Sequence, residues 1–170
     1  IVDCATVCGE YAGIPVVKVA GHDTQCAVAA MPRDGVGEAA FLSCGTWSLI
    51  GCELDKPILT KKSMEDELSN EIGANGKINY LKNISGLWLI QELRRNFRAE
   101  GKEYSYNDME QMARKEPAFT CFIDPDNPEF AQPGGMPEKI RAYCERTGQR
   151  APQTDGALVR CIYESLAMKY

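Results

Sequence analysis

The sequence holds a single histidine, His22, no CxxC pair, and no apolar run approaching the roughly 18 residues that a membrane-crossing helix requires. Each absence closes a class of chemistry. With one imidazole and no closely spaced cysteines, the pattern of a structural zinc site is missing, and no metal ligand is assigned. Without a Ser or Cys motif beside His22, a nucleophilic triad has no second member. The first residues form neither a basic n-region nor a signal-like apolar h-region, so a soluble, cytoplasmic protein is expected. Basic residues are outnumbered, 19 Lys and Arg against 24 Asp and Glu for a net charge of −5. The Arg94, Arg95 and Arg98 cluster shares its segment with acids, which argues against nucleic acid or a membrane surface as partner. Self-association stays open.

The 170 residues, 44% hydrophobic and 25% charged, suffice for one folded domain with a sizeable core. Eight cysteines are many for such a chain. Most read as small buried apolar residues. Cys144 and Cys161 fall on two consecutive expected helices and could face each other.

Along the chain, residues 2–11 read as the end of a helix stopped by Gly13, and Ile14 to Ala20 as a strand. A short helix over residues 24–31 follows, then a loop punctuated by Pro32, Gly35 and Gly37. Residues 39–44 and 47–52 read as strands joined at Gly45-Thr46. The polar stretch 55–71 reads as loop, Asn75-Gly76 as a turn, and residues 77–81 as an alternating strand. Ile84, Leu87, Trp88, Leu93 and Phe97 predict an amphipathic helix over residues 84–99. Ser105 and Asp108 have capping-box form for a second helix, which stops before Pro117. After a Pro- and Gly-rich loop, Pro137 opens a helix stopped by Gly148, and Thr154 caps the last. That last pattern is still in force at Tyr170, which reads as a piece of a longer protein.

Gly21-His22-Asp23-Thr24 sets a carboxylate at the mouth of the expected strand. Asp23 is a candidate general base, and equally a cap for the helix that begins beside it. The Gly45-Thr46 turn offers backbone N–H groups and a hydroxyl suited to a phosphate, or is a plain hairpin turn. Ser85-Gly86 permits close packing or ligand approach, or marks a weak helix start. In order, these parts suggest phosphoryl transfer.

Four segments carry a resemblance: Gly21-His22-Asp23-Thr24; Ser43-Cys44-Gly45-Thr46-Trp47-Ser48-Leu49; Lys82-Asn83-Ile84-Ser85-Gly86-Leu87-Trp88-Leu89-Ile90-Gln91; and Ile123-Asp124-Pro125. Together with residues 160–167 they resemble the FGGY family of carbohydrate kinases from about residue 14 onward. The resemblance implies an α/β fold, part of a ribonuclease-H-like, actin-type ATPase domain with a mixed sheet flanked by helices. It implies ATP-dependent phosphorylation of L-rhamnulose at its 1-hydroxyl, with Mg²⁺ shielding the phosphates. Asp23 would be the proton acceptor, His22, Asp23, Thr24 and Asn83 the sugar contacts, and Gly45, Thr46 and Gln91 the nucleotide side. Cys44 stands where the family often has Ser, Ile72 interrupts an Asn-Glu-Gly-Gly run, and Ser85 replaces an apolar residue. Residues 1–170 would be a single, incomplete C-terminal domain lacking its N-terminal partner and the Gly-rich adenosine motif, and inactive alone. The alternatives are another sugar kinase of the family, acting on L-fuculose or xylulose, or a non-catalytic actin-like binding domain.

Overall fold

The computed structural model describes residues 2–32 and 39–170, so Gly35 and Gly37 of the expected loop lie outside the described residues. The fold is mixed α/β, as expected, and divides into two units. The first holds the described residues up to Ser43 together with Leu49–Asn83, and the second holds Cys44–Ser48 with Ile84–Tyr170.

The first unit opens on an antiparallel hairpin, β1 (Val7–Tyr11) and β2 (Ile14–Val17), with Tyr11 opposite Ile14. The helix expected over residues 2–11 does not form. Ala12 and Gly13 take φ of 50° and 79°, the left-handed pair that a two-residue hairpin turn demands, so Gly13 centres a turn instead of stopping a helix. The short helix follows as α1 (Asp23–Ala29).

The larger sheet runs in the order β3-β4-β6-β5, with β3 (Ala40–Cys44), β4 (Trp47–Leu54), β5 (Leu68–Ile72) and β6 (Ile78–Ser85). The β3–β4 hairpin forms at Gly45-Thr46 as read from sequence. Residues 55–71 are not mainly loop: they give α2 (Lys61–Glu65), capped where the Ser63 N–H donates to Thr60 Oγ1 at 3.1 Å, and then β5. Strand β5 lies antiparallel to β6, Leu68 opposite Lys82 and Ile72 opposite Ile78. It ends the strand order, where a polar Ser-Asn-Glu centre is tolerated and leaves no apolar alternation to detect. Val28 of α1 packs with Phe41, Leu49 and Leu81 in this unit's small core.

The second unit is helical, with α3 (Trp88–Ala99), α4 (Tyr106–Lys115), α5 (Met136–Arg146) and α6 (Asp155–Lys169). Helix α3 begins four residues later than expected because β6 continues through Ser85. The apolar stripes meet as the periodicity requires: Leu89, Leu93 and Phe97 of α3 join Met109, Met136, Ile140, Leu158 and Ile162 in one buried cluster. Burying each such side chain contributes about 1.5–3 kcal/mol. The caps of α4 and α6 are those read from sequence, whereas α5 begins at Met136 on Gly135, one residue before Pro137. Asp108 N–H donates to Ser105 Oγ at 3.1 Å and Ser105 N–H to Asp108 Oδ2 at 2.9 Å, while Ala157 N–H donates to Thr154 Oγ1 at 3.0 Å.

Glu92, 1% exposed, ties α3 to the start of α5. Its Oε1 accepts the Gly134 N–H at 2.7 Å, its Oε2 the Arg95 guanidinium at 2.6 Å, and Asn96 Oδ1 takes the Met136 N–H at 2.6 Å. Among the described residues, no helix is long and apolar enough to cross a membrane.

Candidate active site

The residues read as a site fall in both units: His22, Asp23, Thr24 and Asn83 in the first, Gly45, Thr46 and Gln91 in the second. Each group is described within its own unit.

In the first, the extended backbone of His22 (φ −149°, ψ 145°) makes it the N-cap of α1, with Asp23 the first helical residue. The Thr24 N–H is shared, donating to Asp23 Oδ1 at 2.8 Å and to His22 Nδ1 at 3.2 Å. The cap read for Asp23 is therefore divided between two side chains. His22 Nδ1 also lies 3.2 Å from Asp23 Oδ1, and the side chain of Asp23 is 96% exposed. One carboxylate oxygen holds the helix end while the group stays open to a ligand. Thr24 is buried and Asn83, on β6, exposed; among the described residues no hydrogen bond joins Asn83 to the other three.

A polar network absent from the sequence reading fixes α1. Gln25, 1% exposed, donates to Glu71 of β5 and accepts from the amide of Asn79 on β6. Asn79 is fully buried on the same strand face as Leu81. A polar residue at an inward strand position was the one available signal, since its partners lie 54 and 46 residues apart in the bonds that join them to Gln25 and Gln25 to Glu71.

In the second unit, the turn sits on the start of α3. The Leu87 N–H donates to the Gly45 carbonyl at 2.8 Å and the Trp88 N–H to that of Thr46 at 3.1 Å, satisfying two backbone donors at the helix end. Gly86 makes this approach feasible, because a Cβ there would lie 2.6 Å from Gly45 O and 2.8 Å from Ser48 N. Of the roles read for Ser85-Gly86, close packing is the one realised. Gln91, one helical turn into α3, donates Nε2–H to Thr46 Oγ1 at 3.4 Å. The Gly45 N–H is engaged with the Trp47 carbonyl at 3.0 Å, so this donor, expected to face a phosphate, is held within the turn.

Behind the turn, Ser48 Oγ and Tyr170 Oη share a hydrogen bond of 2.6 Å. Asp126 accepts the Ser85 N–H at 2.7 Å and lies 2.9 Å from Lys169 Nζ, which also meets Asp124 at 3.0 Å. Burial pushes the Asp126 carboxyl up, but the Ser85 N–H and the Lys169 ammonium outweigh it and hold it below the usual carboxylate value. In the sequence the Asp-Pro-Asp segment reads as part of a Pro- and Gly-rich loop and of the family resemblance; that it binds the end of β6 is not legible there.

The thiols of Cys121, Cys144 and Cys161 are free and buried in this unit. Cys144 and Cys161 do face each other, with Cys121 as an unforeseen third member.

Comparison with known proteins follows the same parts. The chain is 42% identical over 156 residues to rhamnulokinase of Enterococcus faecalis, 45% over 157 residues to that of Bacteroides thetaiotaomicron, and 43% over 156 residues to that of Bacillus subtilis. These alignments cover 91%, 92% and 91% of this chain and 31% of each relative, so the chain spans about a third of the curated relatives it matches. The model of the FGGY family of carbohydrate kinases, C-terminal domain, matches residues 40–170. By that match, which takes in the Gly45-Thr46 turn, Gln91 and all four helices of the second unit, the chain belongs to the FGGY family of carbohydrate kinases.

Proposed function

We propose that the protein carrying this chain is an ATP-dependent sugar kinase of the cytoplasm that phosphorylates L-rhamnulose on its 1-hydroxyl, taking ATP as its Mg²⁺ complex. The observation that carries this reading is the identity of 42% and 45% to proteins named rhamnulokinase, over 91% and 92% of the chain. The geometry is in keeping with it. In a loose phosphoryl-transfer transition state the nucleophile loses its proton late, so a carboxylate serves by orienting the hydroxyl and then accepting its proton. Asp23 has Oδ1 occupied by the helix end and Oδ2 left for the sugar. His22 Nδ1 is taken up by the Thr24 N–H and the Asp23 carboxylate, which leaves Nε2 as the ring nitrogen for a sugar hydroxyl. Thr24 and Asn83 complete the sugar contacts of this reading.

On the nucleotide side, Gln91 donates to Thr46 Oγ1, so the Thr46 hydroxyl proton is released to point at a phosphate oxygen. Gly45 contributes the shape of the turn. Mg²⁺ arrives with the phosphates and neutralises charge developing on them; no side chain of this chain is assigned to hold it.

Both substrates must be positioned together for transfer, and the chain spans 31% of its relatives. We therefore read residues 1–170 as an incomplete C-terminal domain, inactive alone. A coupled ADP-release assay with L-rhamnulose, L-fuculose and xylulose tests both statements. Preference of the whole protein for L-rhamnulose, with no turnover by the 170 residues, is expected. Preference for another ketose would overturn the substrate, and turnover by the isolated chain would overturn its incompleteness.

A further inference from the structure

Helix α1 is seven residues long, too short to stand alone, and what it presents at its N-terminal end is the carboxylate of Asp23. An α-helix turns by about 100° per residue, so Asp23 and Gln25 point about 200° apart, nearly in opposite directions. Seating Gln25 on the sheet therefore turns Asp23 outward, in line with the 1% exposure of the one and the 96% side-chain exposure of the other. Val28, one turn beyond Gln25, marks the same inward face by packing with Leu81. Apolar burial is non-directional, so a hydrophobic side chain at position 25 would seat the helix without fixing its roll. Gln25 meets a matched pair instead. Glu71 of β5 and Asn79 of β6 stand directly opposite in the antiparallel register, side by side on one face of the sheet, and the Gln25 amide bonds both. The sense of this bridge is set at one end. A carboxylate only accepts, so Glu71 holds Nε2 of Gln25 toward itself, which turns Oε1 to Asn79 and brings Nδ2 of Asn79 forward as donor. Asn79 Oδ1 is then left buried without a partner, a penalty that an apolar seat would avoid. Beside it a Cβ on Gly73 would come within 3.2 Å of both amide atoms of Asn79, so the glycine leaves that amide its orientation.

We propose that Gln25 is a positioning residue: by bridging Glu71 and Asn79 it fixes the roll of α1, and so the direction in which Asp23 meets the sugar hydroxyl, with Glu71 dictating the sense of the bridge. The inference rests on the reading of Asp23 as proton acceptor. Gln25 itself touches no substrate; its effect passes through the helix. A reacting group misplaced by about 1 Å costs about 100-fold in rate, so the bridge bears on kcat. It leaves the nucleotide side alone, since Thr46 and Gln91 belong to the other unit.

The test exchanges the two ends of the bridge in the whole protein, with kcat measured on the ketose that the parent turns over. Gln25→Glu sets carboxylate against carboxylate and should lower kcat by about 10-fold or more, with KM for ATP within a few-fold. Glu71→Gln keeps an oxygen for the Gln25 amide and should lose less. The two together return both bonds, the carboxylate now on α1 accepting from Asn79 and from the amide now on β5, and should bring kcat back to within about 3-fold of the parent. Gln25→Leu keeps the burial, drops both bonds and should lose kcat as Gln25→Glu does; if Gln25→Glu fails to fold, Gln25→Leu against the double exchange decides alone. Hydrogen exchange over residues 22–29, read by mass spectrometry, should quicken in Gln25→Glu and Gln25→Leu and return to the parent rate in the double exchange. Unchanged kcat in Gln25→Leu, no rescue by the double exchange, or restored exchange rates without restored kcat would overturn the positioning role while the kinase reading stands. A parent that turns over no ketose would overturn the kinase reading itself, and this role with it.

Discussion

Asp23 owes its candidacy to the division of labour around it, one oxygen on the Thr24 N–H and the rest of the carboxylate in solvent. Asp23→Asn preserves size and the bond to the helix end while removing the proton acceptor. In the whole protein, kcat should fall by about 100-fold or more, with KM for sugar and ATP within a few-fold of the parent. Retained kcat in steady-state assays would leave Asp23 as a cap only. Gly86 works by lacking a side chain. Gly86→Ala sets a methyl 2.6 Å from the Gly45 carbonyl and should cost the chain about 1–3 kcal/mol in urea unfolding, by forcing the turn off α3. An unchanged urea midpoint would mean that the turn is free to move.

At the scale of elements, the joint between α3 and α5 rests on Glu92. Glu92→Ala strands the Gly134 N–H and leaves Arg95 without its partner, an expected loss of about 3 kcal/mol; Glu92→Gln keeps one acceptor and should lose less than half of that. Denaturant titration of the two variants checks the order. The elements that sequence disclosed are those whose signal is local. Ser105 with Asp108 and Thr154 with Ala157 are caps closed within three residues, and the helix stripes of α3 and α6 lie within one element. The β3–β4 hairpin turns on two adjacent residues, which also made Gly45 and Thr46 legible as a pair. What escaped depends on partners distant in sequence. Strand β5 is legible only beside β6, and Asn79 only beside Gln25. The first hairpin is hidden in the sequence because Ala12 at positive φ gives no compositional warning. The start of α3 at Trp88 is hidden because Ile84 suits a strand face as well as a helix stripe.

Across the molecule, stability should form a plateau in pH with a different group at each edge. Asp126 titrates below its unfolded value of about 3.9, so its contribution is present above that pH and is lost as pH falls through the folded value. At the other edge, burial, reinforced by the neighbouring Cys121, pushes the Cys144 thiol up to about 12, and burial also raises Cys161. The unfolded thiols ionise near 8.5, so their contribution is full below about pH 8.5 and drains away as pH rises toward the folded value. Urea midpoints of the reduced chain, measured against pH, should decline on both sides. A flat alkaline limb would remove the cysteines from that account.

The chain passes between its two units at Ser43/Cys44, Ser48/Leu49 and Asn83/Ile84, so the helical unit is not one contiguous stretch of sequence. Five residues, Cys44–Ser48, are lent to it from between two strands, and they bring the carbonyls that receive the Leu87 and Trp88 N–H groups and the hydroxyl that meets Tyr170. A truncation beginning at Ile84 would keep all four helices yet leave α3 with a bare positive end and Tyr170 without its mate. Transplanting this unit into another scaffold therefore means grafting two segments together, and the shorter one decides whether the longer is properly finished.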